Sequence, residues 1–139
     1  MKGAKMSAKK LILMTLFAAL LLSLTGCAQK QVKQVGMVIQ LREEYLDEYK
    51  QLHADENPGV RDLLNKYNMH NFSIFLHEID GKLYEFGYYE YTGDDFEADM
   101  AALDAEPRNK EWLKVCDPMQ KPLEGETGWA IMEQVYYNP

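Results

Sequence analysis

Tyr49 and His53 stand four residues apart in Glu48-Tyr49-Lys50-Gln51-Leu52-His53, and Tyr45, Tyr49 and Leu52 repeat at i, i+4, i+7. On a helix these offsets share or adjoin one face, so the phenol and the imidazole stack a turn apart and can enter one pocket. A sheltered imidazole gives and takes protons near neutral pH, which is the requirement of general acid/base catalysis. Trp112, a broad flat ring in a charged segment, is a candidate wall for the same pocket. Singly, each residue has an ordinary use: His53 as a capping or surface histidine, Tyr49 and Trp112 as core. Only their conjunction points to chemistry.

Other chemistries lack their residues. His70 and His77 differ by an odd number along one apolar stretch, so strand alternation predicts that they face opposite ways. No His-x3-His, Cys-x2-Cys or acidic calcium loop is present, so no metal site is expected. No serine sits in a nucleophile elbow, and no glycine-rich phosphate loop occurs.

The amino terminus reads as an address. Lys2, Lys5, Lys9 and Lys10 precede the apolar run from Leu11 to Leu22, and Leu24-Thr25-Gly26-Cys27 closes it. Basic residues, an apolar run and small residues in that order are the pattern of a secretory signal peptide. The close resembles the bacterial lipobox, which implies cleavage before Cys27 and lipidation of that cysteine. The run falls short of the ~20 residues that a membrane span needs, so residues 1–26 are expected to be a leader and residues 27–33 a lipidated tether. The expected location is the outer side of a bacterial membrane, periplasmic or cell-surface, with a lipid as the anchor.

Cleavage takes four lysines and no acid from a chain of net charge −7, leaving 113 residues at −11. That supports one domain, residues 34–139, and argues against nucleic acid as a partner. Cys116 is then the only other cysteine; with no activating neighbour in sequence it reads as a small buried hydrophobe.

The positioning elements follow from pattern. Val35 to Leu41 is apolar and β-branched, a strand; a helix is predicted from Glu43 to about Asp55, with Asn57-Pro58-Gly59 as its interruption and Val60 to Tyr67 as a second helical piece. Asn71 to Ile79 and Leu83 to Tyr91 flank Asp80-Gly81-Lys82, a hairpin signal. In the second of these strands Tyr84, Phe86 and Tyr88 share one face, and Leu83, Tyr89 and Tyr91 the other. Asp94 to Ala105 and Asn109 to Val115 are predicted helices separated at Pro107, and Ala130 to Tyr137 is the last strand. The order is β-α-β-β-α-β, an α+β ferredoxin-like arrangement with helices on one sheet face. A sheet apolar on both faces needs a second cover, and another copy of the chain supplies it most economically.

Gly36-Met37-Val38-Ile39, Glu48 to His53, Asn71-Phe72-Ser73-Ile74-Phe75-Leu76, Gly93 to Met100, Trp112-Leu113-Lys114 with Asp117-Pro118, and Met132-Glu133-Gln134-Val135-Tyr136 together resemble the L-rhamnose mutarotase family. The resemblance covers about Lys33 to the C-terminus. It implies a dimeric α/β barrel of the ferredoxin-like type that interconverts the α and β anomers of L-rhamnose without metal or cofactor. It also implies that His53 is the proton donor and that Tyr49 contacts the sugar. Phe72 stands where the family has a sugar-contacting tyrosine, Leu113 where it commonly has the second tryptophan of a pair, and Asn57 where it has a tryptophan before the proline. The acid/base pair is kept while part of the wall is changed. Three readings of this chain follow: an exported mutarotase for L-rhamnose or a related deoxy sugar; a lipid-anchored carbohydrate-binding accessory protein that has kept the pocket without the catalysis; and a ligand-binding or oxygenase member of the wider dimeric α/β barrel architecture, against which the lack of an obvious haem or metal ligand set counts.

Overall fold

The computed structural model describes residues 32–138. The leader, Cys27 and the tether before Val32 lie outside the described residues. The elements run β1 (Lys33–Leu41), a 3-10 turn (Glu43–Tyr45), α1 (Leu46–Leu52), α2 (Arg61–Lys66), β2 (Met69–Ile79), β3 (Lys82–Tyr91), α3 (Phe96–Ala105) and α4 (Pro107–Cys116). A 3-10 turn (Asp117–Met119), β4 (Gln120–Lys121) and β5 (Ala130–Met132) complete the chain.

The strands form one antiparallel sheet in the order β2-β3-β1-β4, with β5 also paired to β1. This is the expected ferredoxin-like α+β sheet. Asp80 and Gly81 make its hairpin turn between the paired Ile79 and Lys82, both at positive φ (51° and 70°). That is the two-residue turn whose twist matches the strands, and Asp-Gly is suited to it because glycine bears no penalty in the left-handed region.

Alternation then assigns the faces. Val35, Met37, Ile39 and Leu41 of β1, with Glu85, Gly87, Tyr89 and Tyr91 of β3, are buried; Tyr84, Phe86 and Tyr88 are half-buried on the other side. Val60 and Leu63 from the α2 region and Leu103 of α3 pack on Val35, Met37, Tyr89 and Tyr91. A second cluster gathers Leu41, Tyr49 and Met119.

Three expectations need correction. A bulge between His70 and Ser73, with Asn71 at φ 53°, shifts the register so that His70 pairs with Glu90 and His77 with Tyr84. Glu90 and Tyr84 lie an even number apart on β3, so both histidines share the face away from the helices; the inserted residue reverses the parity argument. The long first helix is a 3-10 turn followed by a helix of only seven residues, Leu46–Leu52. The last strand stops at Met132 instead of continuing to Tyr137, while Gln120–Lys121 pairs with the far end of β1. Two short segments therefore divide the β1 edge, and Val135 and Tyr136 are left 87% and 77% exposed.

Pro107 does more than end α3. Glu106 adopts extended backbone and Pro107 opens α4 at its first turn, where its missing N–H and fixed φ are no handicap. Asp95 caps α3 by accepting from the Ala98 amide at 3.0 Å. The resulting kink places Trp112 of α4 against the end of α1.

Candidate active site

His53 is the C-cap of α1, immediately after the last helical residue. Carbonyls at such an end have no helical partner, and Arg61 supplies one. Its guanidinium donates to the carbonyl oxygens of His53 (2.9 Å), Ala54 (3.2 Å) and Asp55 (3.4 Å). Between them, Gly59 sits at φ +52°, and a Cβ there would lie 3.1 Å from Trp112 Cη2. The loop therefore needs glycine twice, for its left-handed backbone and for the close approach of the indole.

Within this frame His53 Nδ1 lies 2.9 Å from the carbonyl oxygen of Tyr49. A carbonyl can only accept, so Nδ1 carries the hydrogen and the neutral ring keeps its lone pair on Nε2. The His53 and Tyr49 rings stack with centroids 4.2 Å apart, and the Trp112 ring meets His53 edge-on at 5.3 Å. Burial lowers the imidazole's pKa below its ordinary value; the bond to Tyr49 opposes that shift and the Arg61 charge adds to it. At neutral pH the His53 ring is therefore neutral.

A cavity of about 570 Å³ opens between the sheet, α1 and α4. It is lined by His53, Tyr49, Trp112, Phe72 and Leu113, the five site residues singled out in the sequence, and also by Asn57. Trp129, Arg61, Asn65, Asp104, Asn109 and Gln120 join them. Phe72 is held by parallel stacking on Tyr89 at 5.7 Å. The walls are aromatic and apolar with a few polar groups, the usual make-up of a small-molecule pocket. No cluster of three His, Cys, Asp or Glu side chains among the described residues is placed to hold a metal ion.

Tyr49 is 4% exposed, and its hydroxyl donates to Glu85 Oε2 at 2.7 Å. Gln120 Nε2 donates to the same oxygen at 2.8 Å. Glu85 is 0% exposed and its Oε1 has no hydrogen-bond partner. Burial pushes its carboxyl from 4.5 up to about 7, against the pull of the two hydrogen bonds. Burial, with the charge of Glu85 next, pushes the Tyr49 phenol up as well. Sequence reasoning passed over Glu85, Gln120 and Arg61. For Glu85 a signal was available: it interrupts the face that carries Leu83, Tyr89 and Tyr91, and an acid on a covered face calls for an explanation.

An antiparallel α+β sheet with a pocket walled by aromatic rings around a half-buried histidine defines the class, a small α+β protein with a small-molecule pocket. The L-rhamnose mutarotase family model matches residues 34–138. The L-rhamnose mutarotase of Bacillus subtilis (strain 168) is 29% identical over 107 residues, 76% of this chain and 98% of that protein. That of Lactiplantibacillus plantarum is 30% identical over 86 residues, 62% of this chain and 78% of the relative. The crystal structure of an L-rhamnose mutarotase from Formosa agariphila superposes with a TM-score of 0.57 at 19% identity, over 77% of this chain and 99% of that one; this last is a likeness of fold. The chain belongs to the L-rhamnose mutarotase family, whose named members are isomerases acting on sugar anomers.

Proposed function

We propose that this protein interconverts the α and β anomers of L-rhamnose or a related deoxy sugar, with His53 as general acid/base. Ring opening requires that the ring oxygen gain a proton while the anomeric hydroxyl loses one; closure on either face reverses both. The observation that carries the reading is His53 Nδ1 bound to the Tyr49 carbonyl beside Trp112, in a cavity of about 570 Å³. That bond orients the ring and leaves Nε2 for chemistry. Trp112 offers a flat wall for an apolar sugar face, and Phe72 and Leu113 offer apolar surface for a deoxy methyl. Saturation-transfer NMR of anomer exchange over L-rhamnose, L-fucose, D-mannose and D-galactose should show acceleration greatest for L-rhamnose. Sugar binding without accelerated exchange would instead favour the carbohydrate-binding accessory protein. The non-aromatic Asn57 and Leu113 and the hydroxyl-free Phe72 in the cavity lining motivate that second reading.

Two further parts of the reading concern assembly and location. The exposed Ile131 (68%) and Val135, with Phe75 on the open sheet face (62%), support a homodimer; light scattering should return twice the chain mass, and a monomer would refute it. The basic leader ending in Leu24-Thr25-Gly26-Cys27 supports an exported lipoprotein held at a membrane through Cys27. Replacing Cys27 by Ala should move the protein from the membrane fraction to the soluble one and abolish incorporation of labelled fatty acid. Retention of both would remove the lipid from the account.

A further inference from the structure

We propose that Glu85, acting through the Tyr49 hydroxyl, is the second proton station of this pocket, exchanging one proton with the sugar while His53 exchanges the other. The inference rests on the mutarotase reading above and adds the partner that a single imidazole lacks. Opening a pyranose ring moves two protons at two oxygens, so one histidine must either act twice or be joined by a second group. Glu85 belongs to β3, behind the cavity wall, and reaches it through two side chains that line the cavity: Tyr49 at 2.7 Å and Gln120 at 2.8 Å. Both bonds fall on Oε2, while Oε1 is buried with no hydrogen-bond partner.

A carboxyl so placed has no evident structural purpose. Its cross-strand neighbours are Ile39 and Leu76, so the sheet offers it no counter-charge, and a half-satisfied buried acid is costly. From the helices, Tyr49 and Cys116 face it. The Cys116 thiol is pushed up to about 12 by burial, then by Asp117 and Glu85, and takes no part in exchange near neutrality. His53 stands one turn from Tyr49 with its ring tilted against the phenol; the cavity lining also carries Arg61 and Asp104, and Asp117 acts on Cys116.

The protons balance over one turnover. In the starting state His53 is neutral and Glu85 protonated. Nε2 takes the proton from the anomeric hydroxyl, and that O–H pair becomes the second bond of the aldehyde. The bond from the anomeric carbon to the ring oxygen breaks, and the ring oxygen receives the Tyr49 proton. Tyr49 is refilled in the same motion by the proton on Glu85 Oε2. The open state thus holds His53 as imidazolium and Glu85 as carboxylate, the hydrogen-bond direction in which Tyr49 donates to Glu85. Closure on either face of the aldehyde returns both protons. The pair carries one proton throughout, and two groups pushed toward opposite protonation states are the arrangement that acid/base chemistry at pH 7 uses.

The test is the pH profile of anomer exchange in the full chain for wild type, Glu85→Gln and Tyr49→Phe, with circular dichroism to verify folding and NMR titration to give sugar affinity. Wild type should show a bell, its acid limb from His53 and its alkaline limb near pH 7 from Glu85. Glu85→Gln should lower kcat by about 100-fold, the lower end of the usual range for a proton-transfer partner, leave KM within about twofold and abolish the alkaline limb. Tyr49→Phe should lower kcat to a similar extent and abolish the alkaline limb, and the double variant should lose no more kcat than either single one. Should Glu85→Gln not fold, Tyr49→Phe and the titration of the ¹³C-labelled carboxyl in wild type decide. A midpoint near 7 supports the relay, and one in the ordinary carboxylate range overturns it. Unchanged kcat and an intact alkaline limb in Glu85→Gln overturn the relay while leaving the mutarotase standing. Absence of exchange in wild type removes both.

Discussion

Replacing His53 by Ala is expected to slow anomer exchange by about 10²- to 10³-fold at pH 7, within the range contributed by a positioned acid/base group. The loss should appear in kcat, because the ring offers the sugar little contact area next to Trp112, Trp129 and Phe72. The environment also sets the pH dependence. Burial holds the imidazole below its ordinary pKa, so its neutral form persists through neutrality, and on the acid side wild-type activity should begin to fall only below pH 6.5. His53→Ala should abolish that acid limb together with the rate. His53→Gln is a sharper control, since its amide can still donate to the Tyr49 carbonyl and hold the loop without accepting a proton. Full exchange in either variant, measured by saturation transfer, would end the assignment of His53.

The effect is expected to be this large because several elements converge on one nitrogen. The α1 helix ends at Leu52 and delivers His53 as its cap, Arg61 ties down the three carbonyls that follow, and Gly59 admits Trp112 to the ring edge. The Tyr49–His53 half of this was legible in the sequence, because i, i+4 spacing on an amphipathic helix is a local property. The Arg61 half was not. An arginine nine residues past a helix end reaches back only because Asn57-Pro58-Gly59 folds the chain on itself, and that turn's geometry is carried by a backbone angle rather than by a pattern.

The same division runs through the fold. The order of elements along the chain, the hairpin and both breaks at proline follow from periodicity and turn chemistry, which act over a few residues. The bulge at His70/Ser73 and the division of the β1 edge between β4 and β5 depend on which registers the whole sheet can satisfy. Hydrophobic alternation does not encode such choices, and a one-residue insertion inverts every face beyond it. Phe72 illustrates the consequence: within the bulge it stacks on Tyr89, taking a place in the cavity lining.

Glu85 leads to the second large expectation, in stability. Its carboxyl sits near 4.5 when the chain is unfolded and is pushed up to about 7 in the fold, burial being the cause. A group whose pKa is raised on folding contributes fully below its unfolded value, and that contribution is lost as pH rises through the folded value. At 1.36 kcal/mol per pKa unit, wild type should lose about 2–3 kcal/mol from this site between pH 4.5 and pH 8. Glu85→Gln does not titrate and should lack the decline. His53 acts in the opposite sense, since its lowered pKa removes stability as pH falls below 6.5, but it is common to both proteins and cancels in the comparison. The difference between the two urea-unfolding free energies should therefore shift in favour of Glu85→Gln by about 2–3 kcal/mol on going from pH 4.5 to pH 8. The absolute cost of burying an amide beside Tyr49 drops out of that double difference. Parallel pH dependences for the two proteins would mean that Glu85 ionises in the fold as easily as in water, and that its charge is matched by a partner other than Tyr49 and Gln120. A fold that carries such a penalty at neutral pH keeps an acid where leucine would pack better, between Ile39 and Leu76. That is the pattern of a residue whose place is set by what it exchanges with Tyr49 rather than by what it adds to the core.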